Sequence, residues 1–304
     1  MTFSEMLNIG LMQGFAGLSL FAVLLLMGLG LAIIFGQMGV INMAHGEFMT
    51  IGAYTIYLLS KLTTDYAPAL QPYYFFGAIA LAFLVAYFVG YWVERLMISH
   101  LYKRPLDTLL ATWGLSLIMQ QIFRSTFGPK EVTATLPDWL MGSVQPFEGV
   151  DIPLNGLFIM AMTAALTGTI FILLYRSRWG LQVRATMQNR VMSRAVGINT
   201  KRVDRMTFAL GCGVAGVAGA AFTTIGSTGP TAGSLYIVDT FLVVVFGGAA
   251  SLFGTIASAF TIAQAQSIME FFMSGSMAKV LTLSAVILIL MMRPQGLFSI
   301  KVRK

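Results

Sequence analysis

The residues best able to do chemistry lie within 35–57, FGQMGVINMAHGEFMTIGAYTIY. Between Met6 and Ser60 the only acid, base or imidazole side chains are Glu47 and His45, with Asn42 and Gln37 close by. A charged group at the centre of a bilayer costs about 2.5–3.5 kcal/mol or more. Such groups either pack against a partner or line a path for something polar. Asn42 is a favoured helix N-cap residue, and the pattern predicts a helix from Met43 to about Ser60. One face of that helix carries Asn42, Gly46, Thr50, Ala53 and Tyr57, a small-residue groove suited to close helix contact. Glu47, Ile51, Tyr54 and Leu58 form the neighbouring stripe, and His45 falls in the first turn. A helix that begins inside a membrane leaves backbone N–H groups free for a solute carbonyl, while Glu47 and the Asn42 amide can accept from solute N–H groups. Phe48 and Tyr54 stand close enough to line the same path. The plainer reading is that Asn42, His45 and Glu47 bond to one another or to a neighbouring helix and only fix the fold. His45 and Glu47 diverge on a helix and the other histidine, His100, is remote, so no metal site is expected. No nucleophile–base set accompanies them, so a membrane hydrolase is not expected either.

The elements that must hold these groups are helices in a membrane. The chain of 304 residues is 57% hydrophobic and 10% charged, with mean hydropathy +0.80. Soluble domains carry about 25% charged residues, so this chain cannot cover a soluble globule. Apolar runs of about 20 residues mark spans: 14–36, 40–59, 74–97, 106–127, 154–175, 206–227, a long run over 235–272 that reads as two spans, and 278–292. The expected architecture is an all-α integral membrane protein of one domain, 1–304, with about eight to nine transmembrane helices and broken helices near mid-membrane. The N-terminus lacks Lys and Arg, and the apolar run after it is long, so it reads as a retained span rather than a cleaved signal. The single cysteine, Cys212, lies in an apolar run and reads as a packing residue.

Charge sets the orientation. Residues 176–205 hold eight basic side chains against Asp204, a net +7 equal to that of the whole chain. Arg95, Lys103 and Arg104 form a second basic cluster, and Arg293, Lys301, Arg303 and Lys304 a third. Residues 128–153 are net negative, with Lys130 against Glu131, Asp138, Glu148 and Asp151. The positive-inside rule then places 176–205 and the C-terminus in the cytoplasm, and 128–153 and the N-terminus in the periplasm. Topology accounts for the basic charge, so nucleic-acid binding is not invoked.

Two further segments stand out. Residues 226–233, GSTGPTAG, break the chain ahead of Asp239, one of three charged residues between Met206 and Met292. A Gly-rich break near an isolated acid in each half suggests an internal repeat and adds Asp239 to the candidate pathway residues, although Asp239 reads equally as an interface-facing acid of its own helix. Within 176–205, Val183, Met187, Val191 and Ala195 recur every four residues and predict one amphipathic helix with Gly197 as its C-terminal cap. Such a helix could dock on a cytoplasmic partner or lie on anionic headgroups.

The pattern GVINMAHGEFMTIGAY at 39–54 resembles the membrane subunit of ATP-binding-cassette importers for branched-chain amino acids and urea. The segments R-A-x-x-x-N at 184–189 and A-x-G-I-N at 195–199 are similar to that family's ATPase-coupling loop, and the resemblance covers nearly the whole chain. GQMGVINMAHGEFM, LDTLLATWGLSLIMQQ and QNRVMSRAVGI look most like the urea branch. The resemblance implies a second, non-identical permease, two ATPase subunits that carry ATP and Mg, and a periplasmic solute-binding protein in a bacterial inner membrane. It also assigns ATPase coupling to Arg184, Ala185, Asn189, Ala195 and Gly197. No G-x-x-x-x-G-K-[ST] pattern occurs in the sequence, so hydrolysis is expected of the partners and the chain is not expected to be an enzyme or to bind a cofactor. The expected solute is urea, with branched-chain amino acids as the alternative. An energy-independent channel fits less well, because it has no need of the 176–205 segment.

Overall fold

The computed structural model describes residues 3–102, 104–147, 150–248, 251–293 and 296, with main chain alone at 3–7, 37, 146 and 147. Lys103, Glu148, Lys301, Arg303 and Lys304, which carry part of the orientation argument, lie outside the described residues.

Apart from single turns, the described residues form the helices α1 (Phe3–Met38), α2 (His45–Tyr66), α3 (Tyr74–Val93), α4 (Pro105–Phe127), α5 (Leu154–Arg176), α6 (Arg178–Gln188), α7 (Arg190–Ala195), α8 (Thr200–Phe222), α9 (Ala232–Gly247), α10 (Leu252–Phe272) and α11 (Gly275–Met292). A short antiparallel hairpin, β1 (Ser143–Phe147) and β2 (Val150–Pro153), lies between α4 and α5. Two helices form the centre. α1 is apolar on every side, and Leu24, Leu26, Met27, Leu29, Ile33 and Ile34 are all buried, as expected of a helix enclosed by others. α8 is equally enclosed, and its Gly and Ala residues let α3, α2 and α1 approach closely. α3, α5 and α10 pack around this pair, α11 packs on α9 and α10, and all four turn apolar side chains outward.

Among the described residues six helices are long and apolar enough to cross a membrane: Asn8–Gly36, Tyr74–Leu101, Leu154–Arg176, Thr200–Phe222, Leu252–Phe272 and Gly275–Met292. α2 and α4 are as long but more polar, and α9 has 16 residues. Several expected boundaries are corrected. The first helix runs from Phe3 to Met38 rather than 14–36. The second starts at His45 rather than Val40 or Met43, because the chain turns at Gly39, at φ +64, and stays irregular up to Ala44. The 235–272 run does divide into two helices, α9 and α10.

The two loop regions lie at opposite ends of α3. At its start, Tyr74 Oη donates to the Thr135 carbonyl at 2.6 Å, and Trp139 Nε1 donates to the Pro72 carbonyl at 2.8 Å. At its other end, Glu94 meets Arg205 at the beginning of α8. The acidic and the basic segments are thus separated by the length of a spanning helix.

Candidate functional site

Asn42 closes the turn before α2. Its side-chain oxygen accepts from the Ala44 amide at 3.1 Å, and Ala44, without a side-chain cap, holds the N-cap position predicted for Asn42. The Met43 amide donates to Thr112 Oγ1 at 3.1 Å and so ties the turn to α4. His45 is fully buried against α1, with Nε2 3.2 Å from the Met27 carbonyl. A carbonyl only accepts, so Nε2 is the donor. Phe48 packs edge-on to Phe208 in the core, ring centroids 6.4 Å apart.

Glu47, only 1% exposed, faces α4. Its Oε1 accepts from Ser116 Oγ at 3.0 Å and from Gln120 Nε2 at 2.9 Å. Gln120 also donates to Ser116 at 3.0 Å and lies 3.5 Å from Ser234 Oγ on α9, the outer limit of a hydrogen bond. The second carboxylate oxygen, Oε2, is buried without a partner among the described residues. Two turns further along, Tyr54 stacks on Phe127 at 4.0 Å with its hydroxyl also unpartnered. A polar line therefore runs from the buried Glu47 through half-buried Gln120 to Ser234.

The structure brings Glu47 to this line, places Tyr54 against Phe123 and Phe127 two turns on, and buries Asn42, His45 and Phe48 in the packing. Asp239 does not join them. It pairs with Lys279 of α11 at 2.7 Å, and that lysine also bonds the Leu235 carbonyl and lies over the Tyr236 ring. The sequence reading missed Ser116 and Gln120. Thr112, Ser116 and Gln120 recur every four residues in an apolar helix, and that stripe could have found them.

α2 and α9 meet at their first turns. A Cβ on Gly46 would collide with the Gly233 backbone, and one on Gly233 with that of Gly46. The Gly233 amide donates to Thr50 Oγ1 at 3.0 Å. The predicted small-residue groove is thus used at Gly46 and Thr50, whereas Tyr57 turns to the edge of Phe127.

The basic segment is two helices rather than one, because Asn189 caps the second. Its Oδ1 accepts from the amides of Val191 and Met192 at 3.1 and 3.0 Å. Arg184 donates to the Leu174 carbonyl and lies over the Tyr175 ring, while Ala185 accepts from the Asn189 amide. α7 ends at Ala195, and Gly197, at φ +87, makes the predicted C-terminal turn. The expected stripe is split: Val183 is buried, whereas Val191 is 77% exposed, beside exposed Met192 and Val196. A cavity of about 520 Å³ opens beside this turn, lined by Trp179, Gly197, Asn199 and Arg202 among others.

Among the described residues no group of three or more His, Cys, Asp or Glu could hold a metal. The described residues thus combine a bundle of apolar helices with a buried polar line and a charged helical segment at one end. Residues 14–292 match the family described as "Branched-chain amino acid transport system / permease component", and the chain belongs to that family. It is 29% identical over 306 aligned residues to the high-affinity branched-chain amino acid transport system permease protein LivH of Salmonella typhimurium, covering 97% of each chain. It is 26% identical over 289 residues to the corresponding protein BraD of Pseudomonas aeruginosa, covering 92% of this chain and 93% of BraD. LivM of Salmonella typhimurium matches at 25% identity over 307 residues, covering 90% of this chain and 67% of LivM. No solved structure matches. Each of these relatives carries a branched-chain amino acid name, and none supports the urea branch.

Proposed function

We propose that this chain is one of two non-identical permease subunits of an ATP-driven importer, and that its solute is a branched-chain amino acid rather than urea. The observation that carries this is the family match across 14–292, joined by relatives named LivH and LivM that both align along most of this chain. Two similar but distinct relatives are what a paired permease predicts. Two ATPase subunits, which carry ATP and Mg, bind the cytoplasmic loops of the two permeases; on this chain the docking surface is 176–205, through exposed Val191, Met192 and Val196, with Arg184, Ala185, Asn189, Ala195 and Gly197 shaping it. A periplasmic binding protein delivers solute. The chain sits in the bacterial inner membrane with the basic segment and C-terminus cytoplasmic, as the positive-inside rule assigns.

In the pathway, Glu47 with Ser116, Gln120 and Ser234 provides polar contacts for the moving solute, and Tyr54 lies along the same side. Asn42, His45 and Phe48 act behind them by fixing the α1–α2 turn. Asp239 acts through its pairing with Lys279.

The deciding experiment is ATP-dependent uptake by the reconstituted complex, with labelled leucine and urea compared side by side. Uptake of leucine in excess of urea is expected. Urea preference would return the assignment to the other branch. Uptake by this chain alone, without ATPase, would replace the importer with a channel.

A further inference from the structure

The helix α3 does not end as an α-helix. Glu94–Ile98 forms a π-helical turn, followed by a last turn at Ser99–Leu101. Such turns are uncommon and recur at functional sites. Glu94 stands at its start and is 1% exposed, which makes it an acid held almost wholly inside protein at the end of an apolar helix. Both carboxylate oxygens are used. Oε1 accepts from Tyr102 Oη at 2.6 Å, and Oε2 accepts from Arg205 Nε at 2.9 Å. The Arg205 guanidinium also lies over the Tyr91 ring at 5.2 Å and reaches its hydroxyl at 3.4 Å.

This cluster continues into the basic segment. Arg190, the first residue of α7, joins it: its guanidinium is 5.4 Å from the Tyr102 ring centroid and donates to Asp204 Oδ1 at 2.9 Å. Arg194, one turn on, donates to Thr200 Oγ1 at 2.9 Å. α7 therefore reaches α3 through Tyr102 and α8 through Asp204 and Thr200. From there the contacts run into the bundle: Gly216 of α8 lies against Ala82 of α3 on one side and Gly52 of α2 on the other. α2 is the helix that carries Glu47.

We infer that Glu94, Tyr102 and Arg205 form a positioning cluster that converts displacement of α7 into movement of α3 and α8, and so couples the cytoplasmic segment to the solute path. This rests on the proposed docking of ATPase on that segment. These residues touch neither solute nor nucleotide. They act by making α7, α3 and α8 move as one body. Charge-assisted bonds to a desolvated carboxylate suit that task because they are strong and directional, and removing one partner leaves the other charge uncompensated.

The test uses the full complex in vesicles and reads solute imported per ATP hydrolysed. Tyr102→Phe keeps the ring beneath Arg190 and removes only the hydroxyl bond to Glu94. Arg205→Lys keeps the charge, and Arg205→Met removes it. Tyr102→Phe and Arg205→Met complexes are expected to recover their ATPase subunits and hydrolyse ATP, while solute per ATP falls roughly 2- to 30-fold. Arg205→Lys is expected to restore part of that ratio. If the variants lower only the amount of complex recovered, with solute per ATP as in wild type, the cluster is merely structural and the inference is overturned. A wild-type chain that recovers no ATPase overturns the proposed function first and this inference with it, and that outcome is visible before any variant is made.

Discussion

Gly46 of α2 lies against Gly233 of α9 so closely that neither position has room for a Cβ. This contact holds together the first turns of two helices that each follow a break in the chain. Gly46→Leu is expected to destabilise the protein by about 3 kcal/mol or more, because the clash is with backbone that cannot repack. Gly14→Ala in α1 meets no atom of the described residues within 4 Å and is expected to be neutral or to stabilise by up to ~1 kcal/mol through helix propensity. Thermal melting of the detergent-solubilised protein compares the two.

Glu47→Gln tests the polar line. One Glu47 oxygen has two donors and the other has none. The amide can still accept from Ser116 but no longer offers a charged acceptor to a passing solute. Uptake is expected to fall roughly tenfold, in keeping with the ~1.5–3 kcal/mol range of hydrogen bonds to charged groups, while recovery of the complex is unchanged. Uptake equal to wild type would reduce Glu47 to a brace between α2 and α4.

The exposed side chains of α7 separate docking from folding. Val191→Asp places a charge at a side chain that is 77% exposed, so the melting temperature should hold while ATPase subunits are lost on co-purification. Asn189→Ala is expected to do the reverse in part, removing the α7 cap at a cost of about 1 kcal/mol and weakening docking only through the frayed helix.

Lys279→Met isolates Asp239, which is 3% exposed. A loss of about 1–3 kcal/mol is expected, below the ~3–5 kcal/mol for a fully buried pair because the Lys279 side chain is 31% exposed. The double variant Asp239→Asn, Lys279→Met should recover much of it. A double-mutant cycle on melting temperature reads the coupling.

Much of this architecture is visible in the residue string because lipid imposes simple requirements. The apolar runs that announce α3, α5 and α8 are long and uninterrupted, and the break after Met38 announces itself by Gly39. What escapes the sequence is pairing across space. Asp239 and Lys279 are 40 residues apart and nothing local links them. Glu94 lies at the edge of a basic cluster, where it reads as an ordinary boundary acid until Arg205 is seen beside it. The single amphipathic helix expected over 183–195 fails at Asn189, whose side chain satisfies the first amides of a new helix better than it fits the middle of an old one. Ser116 and Gln120 are small signals in an apolar helix and acquire meaning only opposite Glu47.

The π-helical turn has a consequence for helical phase. Residues eight apart on an ideal α-helix sit about 80° out of phase around the axis, since each residue advances it by ~100°. One extra residue accommodated in a wide turn takes up about 100° of that rotation, which brings Tyr102 round to within ~20° of Glu94. The 2.6 Å bond between them thus depends on backbone bookkeeping as much as on side-chain identity. Winding 94–98 into a regular α-helix with every residue kept would rotate the two partners apart, whereas deleting one residue within 95–98 would leave them seven apart and still within ~20° of each other.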